Sequence, residues 1–368
     1  MKKYKIIVSG GGTGGHIFPA ISIADRIKER YPDSDVLFVG AEGRMEMDRV
    51  PKAGYKIVGL PIIGMPRKAS FRFLKFLFGL WRSLKMAKKI VVDFNPDVVV
   101  GVGGYASAPL LRAASRLNVP TVLQEQNSYA GKANQWLSKW ASAVCVAYDD
   151  MDRFFPKDKI TLTGNPIRKD IVNCVDVSKE QACSFFGIDN INPTVLILGG
   201  SLGAKSINDS ILNSLDALSC ADANFIWQCG SRDFASINSA LSSKELPSNV
   251  QLHKFVEAMN MAYACADVIV SRAGASTVSE LCLVGKPILL VPSPNVAEDH
   301  QKKNALALVN KGAAIMLDDS ELMDSLVRGM LDLAKDDVTR ARLSKNIKMM
   351  ARPDAVDKIV DVIIEKSE

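Results

Sequence analysis

Histidine occurs only three times in the 368 residues, at His16, His253 and His300. The three lie far apart, with no other ligand-type residues clustered around them, which argues against a metal centre. Cysteine is missing from the opening third of the chain. The seven present (Cys145, Cys174, Cys183, Cys220, Cys229, Cys265 and Cys282) are odd in number and form no C-x-x-C pair. That argues against a disulfide framework or zinc site and for reduced, mostly buried thiols in a cytosolic protein. No stretch stays apolar long enough to span a bilayer. The opening MKKYKIIVSGGG has neither the apolar h-region nor the small-residue cleavage site of a secretory signal, so none is expected. The net charge of +6 is mild for this length and does not point to nucleic acid. What remains is ordinary globular composition, 48% hydrophobic and 23% charged, in a chain long enough for two domains.

The chain is organised around KIIVSGGGTGGHIFPA, Lys5 to Ala20. Tyr4 to Val8 is a short β-branched apolar run suited to a buried strand. Gly10, Gly11, Gly12, Gly14 and Gly15 follow, and from His16 to Arg30 apolar residues (Ile17, Ala20, Ile21, Ala24, Ile27) recur at helical spacing, with Pro19 expected in the first turn. Strand, glycine loop and helix together offer free backbone N–H groups at the positive end of a helix, a site for a phosphate or diphosphate. The spacing Gly10-x-Gly12-x-x-Gly15 also satisfies the dinucleotide fingerprint, and Glu42, after a second strand at Val36 to Val39, stands where a ribose acid would. A tight strand-to-helix turn without a ligand is the plain alternative, but five glycines in six positions exceed what a turn needs.

The theme returns along the chain. Val98 to Gly101 reads as a strand, followed by Gly103-Gly104 and a helix entered through Ser107 and Pro109; Pro120 to Leu123 ends in Gln124-Glu125-Gln126-Asn127. Such clusters at strand carboxyl ends are where function is expected in an open parallel sheet. Asn127 equally suits a helix cap. Ile160 to Thr163 runs into Gly164-Asn165-Pro166, a plausible break between domains. The second half restarts with strand Thr194 to Leu198 and the loop GGSLG, so IIVSGGGTGG and VLILGGSLGA are two similar openings roughly half a chain apart. Further strands are read at Phe225 to Gln228, Val250 to Leu252, Val268 to Ser271, Ile288 to Val291 and Ala314 to Leu317. The fourth glycine turn, SRAGASTVSE, places Glu280 early in a helix, where it can accept both ribose hydroxyls or merely complement the helix N-terminus. Two D-x-D triplets occur. Asp33-Ser34-Asp35 precedes its strand and reads as a solvated turn; Asp150-Met151-Asp152 follows one, but suits a surface helix start better than a metal.

Residues 61–90 carry eight Lys or Arg and no acid, interleaved with Phe71, Phe73, Phe76, Phe78 and Trp81. Such a segment can lie in an anionic membrane interface, each cation contributing about 1 kcal/mol. The other reading is an amphipathic helix packed on the sheet, which Leu77, Leu84, Ala87 and the stretch from Ile90 onward fit.

Taken in order, GGGTGGHIFPA, GVGGYASAP, EQN, TGNPIR, GGSLGA, SRAGASTVSE and DHQKKNA resemble the MurG family of N-acetylglucosaminyltransferases, over essentially the whole chain. The resemblance implies an α/β fold of GT-B architecture, with two Rossmann-like domains of parallel sheets facing across a cleft. Residues 1–165 would form the acceptor- and membrane-facing domain, 166–351 the donor domain, and 352–368 a helix packed back on the first. It implies an inverting transfer from UDP-N-acetylglucosamine to the C4 hydroxyl of undecaprenyl-diphosphoryl-N-acetylmuramoyl-pentapeptide, without a metal or other cofactor. The enzyme would sit at the cytoplasmic face of the inner membrane, with a cell-wall synthesis complex as a possible partner. His16 is expected as the base, with acceptor-diphosphate contact or loop capping as its alternative. Thr13, Gly14, Gly15, Asn127, Arg168, Ser201, Val256 (through its main chain, near the uracil), Ala275, Ser276, Thr277, Val278, Ser279, Glu280 and Gln301 would line the donor site. Gly14, Gly103, Gly104 and Tyr105 would meet the acceptor diphosphate. Rival readings are a diacylglycerol glycosyltransferase, a nicotinamide oxidoreductase using Glu42, and a silent sugar-nucleotide sensor.

Overall fold

The computed structural model describes residues 2–62, 71–167, 171, 177–200, 202–242, 245–296 and 299–368, with 71–77 as backbone only. The chain divides into two units, Met1–Arg168 with Pro353–Glu368, and Lys169–Arg352.

The first unit is built on a parallel sheet of β1 (Lys5–Gly10), β2 (Asp35–Ala41), β3 (Lys56–Leu60), β4 (Val98–Gly103), β5 (Thr121–Glu125), β6 (Ala143–Val146) and β7 (Ile160–Leu162). Their order in space is β3-β2-β1-β4-β5-β6-β7. Both faces are covered, so the strands are apolar almost throughout. The pleat sends Ile6, Val8, Val98 and Val100 to one core and Ile7 and Val99 to the other. On the first face lies the helix Gly14–Arg30, through Ile17, Ala20, Ile23, Ala24 and Ile27. Beside it packs the chain's last helix, Ala355–Ser367, through Ile359, Val360 and Ile363. Arg26 reaches Asp357 at 2.7 Å and Arg30 reaches Asp361 at 2.7 Å, but these pairs are half in solvent and the apolar contact does most to hold the helix. The opposite face carries the helices Phe71–Phe94 and Ser107–Arg116, through Ala87, Val91, Leu110 and Leu111.

The second unit repeats the plan with β8 (Thr194–Leu198), β9 (Asn224–Gln228), β10 (Val250–His253), β11 (Val268–Ser271), β12 (Ile288–Leu290) and β13 (Ile315–Met316), all parallel, in the order β10-β9-β8-β11-β12-β13. Val195, Ile197, Phe225 and Trp227 pack against the helices Lys205–Asn213 and Leu322–Lys335. The α/β class with two parallel-sheet units is therefore as the sequence implies.

In each sheet the strand order reverses beside the first strand, at β1/β4 and at β8/β11. Ligands of open parallel sheets bind beyond the carboxyl ends of the strands at such switch points. Those two places are where the glycine loops fall.

Several local expectations change. The edge strand β3 has no counterpart in the sequence reading; its KIVGL is only half-buried and lacks a clear pattern. The first helix begins at Gly14, so Pro19 lies in its second turn and the Gly15 carbonyl receives no helical N–H from it. Asp150 adopts a left-handed conformation (φ 58°) before a single 3₁₀ turn at Met151–Arg153, not a helix start. Asp33 lies in an exposed turn as read, but Asp35 is the first residue of β2 and Ser34 between them is buried, its hydroxyl accepting from the Tyr4 amide at 3.1 Å. Among the described residues six cysteines are free thiols, all buried except Cys220. Burial pushes the Cys145 and Cys282 thiols up to about 12, so they stay protonated and unreactive. Cys174 lies outside the described residues.

Candidate active site

At the first switch point the two glycine loops of the unit touch. The Gly11 amide donates to the Gly103 carbonyl at 3.3 Å. Gly104 (φ 90°) comes so near that a Cβ on it would stand 2.4 Å from the Gly11 oxygen. Gly103 (φ 109°) makes room for the His16 ring: a Cβ there would lie 2.7 Å from its Nδ1 and Cε1. β1 slips register against β4 between Ser9 and Gly10, a bulge that re-aims the chain where the loop begins. Thr13 has extended backbone, and among the described residues no side chain caps the helix it starts. The dipole of that helix end is thus available to an anion.

Part of the loop's donor capacity is already used. Glu46, only 1% exposed, accepts from the Gly12 amide at 2.9 Å and from the Ala41 amide at 3.0 Å. A Cβ on Gly11 would lie 2.1 Å from its Oε1, and one on Gly40 would lie 2.5 Å from its Cγ. Several glycines therefore serve this internal carboxylate, and of the loop amides expected to be free for a phosphate, those of Gly11 and Gly12 are engaged, the first by Gly103 and the second by Glu46. Left unpaired, the buried Ala41 amide would cost about 1–3 kcal/mol. The sequence reading missed Glu46, since a Glu in a short polar helix reads as surface.

His16 is held by a buried chain of amides. Its Nδ1 lies 3.0 Å from Gln126 Oε1. Gln126 Nε2 donates to the carbonyls of Val102 (2.6 Å) and Gln124 (3.1 Å), and to Gln124 Oε1. Gln124 Nε2 donates to Asn165 Oδ1 at 2.9 Å, and Asn165 Nδ2 returns to the Gln126 carbonyl at 3.0 Å. The turn at Gly164-Asn165-Pro166 is thus tied into the first unit through a residue only 1% exposed. Asn127 is not the cap of the next helix, Lys132–Leu137, which starts after Gly131. Instead Glu125 gathers the loop, accepting from the Asn127 amide (3.0 Å) and side chain (3.1 Å), the Gly131 amide (3.1 Å) and Asn134 (2.8 Å). Tyr105 stands 60% exposed at the end of β4.

At the second switch point, Gly203 (φ 96°) presses on β9, where a Cβ would lie 2.3 Å from the Cys229 oxygen. Asn208 locks this corner, donating to Cys229 O at 2.9 Å and to Asp233 at 2.8 Å while accepting from Trp227 Nε1 at 3.0 Å. Gln228 bridges two of the expected contact regions: its Nε2 donates to Gly200 O at 3.3 Å and its Oε1 accepts from the Val256 amide at 2.8 Å. The Val256 N–H is therefore engaged within the unit. The helix Ala275–Val284 follows an extended Gly274 with no side-chain cap among the described residues. Ser276 Oγ there is buried without a hydrogen-bond partner among the described residues. Glu280 is the sixth residue of that helix, so it lies in the second turn, above Ser276 and Thr277 on one face. Arg272 is a brace, donating to Asp319 Oδ1 at 2.5 Å, Val291 O at 3.1 Å and Ser206 at 2.8 Å. Gln301 Oε1 accepts from the Ser293 amide at 2.9 Å, which leaves its amide donors to other partners. Asn304, fully buried, donates to Ala273 O at 3.3 Å and steadies the turn.

Thr13, Gly14, Gly15, His16, Gly103, Gly104, Tyr105 and Asn127 thus belong to the first unit, and Val256, Ala275 to Glu280 and Gln301 to the second. Arg168 and Ser201 lie outside the described residues. His253 is the last residue of β10, half-buried, and burial lowers its pKa, as suits a structural residue. Among the described residues no group of three or more His, Cys, Asp or Glu is placed to hold a metal.

Of residues 61–90, the stretch 63–70 and the side chains of 71–77 lie outside the description. Beyond them the helix has two characters. Ala87 and Val91 are buried against the sheet, whereas Phe78 and Trp81 are 64% and 59% exposed. The two exposed rings are 6.0 Å apart and Lys85 lies over Trp81 at 5.5 Å. Among the described residues no helix is long and apolar enough to cross a membrane.

Comparison with known proteins gives this geometry a family. Residues 6–146 match the glycosyltransferase family 28 N-terminal domain and residues 194–359 the family 28 C-terminal domain. A protein of Parabacteroides distasonis named UDP-N-acetylglucosamine–N-acetylmuramyl-(pentapeptide) pyrophosphoryl-undecaprenol N-acetylglucosamine transferase is 51% identical over 366 residues, 99% of each chain. The crystal structure of Acinetobacter baumannii MurG superposes with a TM-score of 0.78 at 27% identity, covering 98% of this chain and 99% of that one. The chain belongs to the MurG family. A relative of Cytophaga hutchinsonii bearing the same transferase name is 54% identical over 99% of this chain and 97% of its own. Membership in the MurG family removes the oxidoreductase reading. Glu42, its ribose candidate, is exposed, and its amide donates to Leu60 O at 3.0 Å.

Proposed function

We propose that the chain transfers N-acetylglucosamine from UDP-N-acetylglucosamine to the C4 hydroxyl of N-acetylmuramyl-(pentapeptide) pyrophosphoryl-undecaprenol. The C4 oxygen bonds to the anomeric carbon as the bond to the UDP β-phosphate oxygen breaks, with inversion. The hydroxyl proton passes to His16 Nε2 and UDP leaves with the electron pair. The carrying observation is that each unit sets a glycine loop and a helix start without a side-chain cap at its switch point, and that an oriented imidazole stands at the first. Relatives named for this reaction match along the whole chain.

The roles follow from charge. Gly14, Gly103, Gly104 and Tyr105 meet the acceptor diphosphate with amides and one hydroxyl, while Thr13, Gly15 and Asn127 line the donor side. On the donor, Arg168 and Ser201 meet the leaving diphosphate, the Val256 main chain meets the uracil, Glu280 the ribose diol and Gln301 the sugar hydroxyls. Main-chain dipoles replace a divalent cation in this scheme. Incubation with radiolabelled UDP-N-acetylglucosamine and the undecaprenyl acceptor should move label into lipid with matching UDP release, unchanged by EDTA. Label that enters only diacylglycerol, or transfer abolished by EDTA, would overturn the reading.

The exposed Phe78–Trp81 pair with its flanking lysines supports a peripheral seat on an anionic leaflet, on the cytoplasmic side where the sugar nucleotide is made. Burying two aromatic rings and a few cations there is worth several kcal/mol. The double variant Phe78→Ser, Trp81→Ser should therefore stay in the supernatant when spun with anionic vesicles that sediment the parent protein. Equal sedimentation of both would reduce the pair to ordinary surface.

A further inference from the structure

We infer that Gln126 is a positioning residue that fixes the tautomer of His16, placing the ring proton on Nδ1 and the lone pair on Nε2. The inference rests on His16 being the base, and deepens that reading.

The argument is one of hydrogen-bond polarity. An amide side chain can be turned over, exchanging its oxygen and nitrogen, and crystallographers assign it from its neighbours. Here the neighbours leave no choice. Gln126 Nε2 faces the main-chain oxygens of Val102 and Gln124, which can only accept. Its NH₂ must therefore lie on that side and its Oε1 on the side of the imidazole, 3.0 Å from Nδ1. Gln124 and Asn165 are oriented in turn, because the Asn165 NH₂ ends on the Gln126 carbonyl, again an acceptor only. Flipping any one amide would set oxygen against oxygen in a site where Gln124, Gln126 and Asn165 are each 1% exposed or less.

An Oε1 that can only accept requires Nδ1 to donate. A neutral imidazole with its proton on Nδ1 has its basic lone pair on Nε2, the nitrogen away from the network. Gly103, which lacks a Cβ where the ring sits, lets the imidazole press close enough for this bond to form. Removing the amide frees both tautomers and lets the ring turn, so part of the population presents a protonated Nε2 that cannot take a proton.

With only three histidines in the chain, the test is direct. Full-length protein labelled with ¹⁵N-histidine is examined by two-bond ¹H–¹⁵N correlation at a pH where the rings are neutral, His16 being assigned by its loss in His16→Ala. His16 should show protonated Nδ1 and bare Nε2. The opposite pattern in the parent protein would overturn the inference without any variant being made. In Gln126→Leu, whose fold is checked by an unchanged far-UV spectrum and by a single thermal transition at the parent's midpoint, the Nε2–H form should appear. There kcat should fall roughly fivefold, the worth of one hydrogen bond, with KM for UDP-N-acetylglucosamine unchanged. An unaltered tautomer in that variant would equally overturn the assignment to Gln126. Normal turnover in His16→Ala, by contrast, would remove the base and leave the tautomer measurement standing.

Discussion

Replacing His16 by Ala is expected to leave UDP-N-acetylglucosamine bound with unchanged affinity while turnover drops by about 10²–10⁴-fold, the usual worth of a general base. The separation of the two effects comes from the architecture. His16 stands in the first turn of the helix Gly14–Arg30, in the unit of Met1–Arg168, where it answers to Gln126 and Gly103. The groups assigned to the uracil and ribose, Val256 and Glu280, stand in the other unit, on the loop after β10 and on the helix Ala275–Val284. Cutting back an imidazole therefore leaves nearly all of the donor's partners in place. Isothermal titration with UDP and steady-state release of UDP, measured on the same preparation, give the two numbers. Turnover within a few-fold of the parent would assign the ring to diphosphate contact or loop structure instead. Loss of donor affinity in step with turnover would mean that the variant had disturbed more than proton transfer.

The sequence carried the local geometry well and the long-range polar contacts poorly. Each strand–glycine–helix unit announces itself within about fifteen residues, because a β-branched run, a loop without side chains and a 3.6-residue period follow one another. That is why the α/β class and the places of the glycine loops were legible. Glu46, Gln126 and Gln228 were not. The bond between Glu46 and Gly12 crosses 34 residues and that between His16 and Gln126 crosses 110. Nothing in the local pattern of a Glu in a short helix, or of a Gln after a strand, says which amide it will meet. One signal was available for Glu46: the first loop holds more glycines than a phosphate requires, and Gly40 adds another on the neighbouring strand. The surplus marks a bulky group coming close from inside the protein as well as from outside.

The helix boundaries teach a related point. Pro19 and Glu280 were both placed by assuming where a helix begins. The first helix starts two residues sooner than its apolar pattern suggests, because Gly14 and Gly15 adopt helical backbone although they disfavour it. Tertiary packing of Ile17, Ala20 and Ala24 against the sheet offsets that local preference.

The second large effect concerns Glu280. Its Ala variant should bind UDP about 10–150-fold more weakly, the cost of losing hydrogen bonds to a charged group, while its thermal midpoint stays near that of the parent. The position in the second turn of Ala275–Val284 speaks against the helix-end reading of this residue. Favourable charge at a helix N-terminus falls away within the first turn, and that turn holds no acid here. A carboxylate one turn further along, leaning toward the N-terminus above Ser276 and Thr277, is placed to meet a ligand seated on the turn. The ribose assignment can be separated from a general loosening of the site by using 2′,3′-dideoxyuridine diphosphate alongside UDP. The parent protein should lose most of the same factor on going from UDP to the dideoxy compound, since the carboxylate then has no diol to hold. Glu280→Ala should bind both compounds equally, because the interaction that distinguishes them is already gone. If the variant still prefers UDP by the parent's full ratio, the diol is held by another group and Glu280 acts only through the helix that carries it.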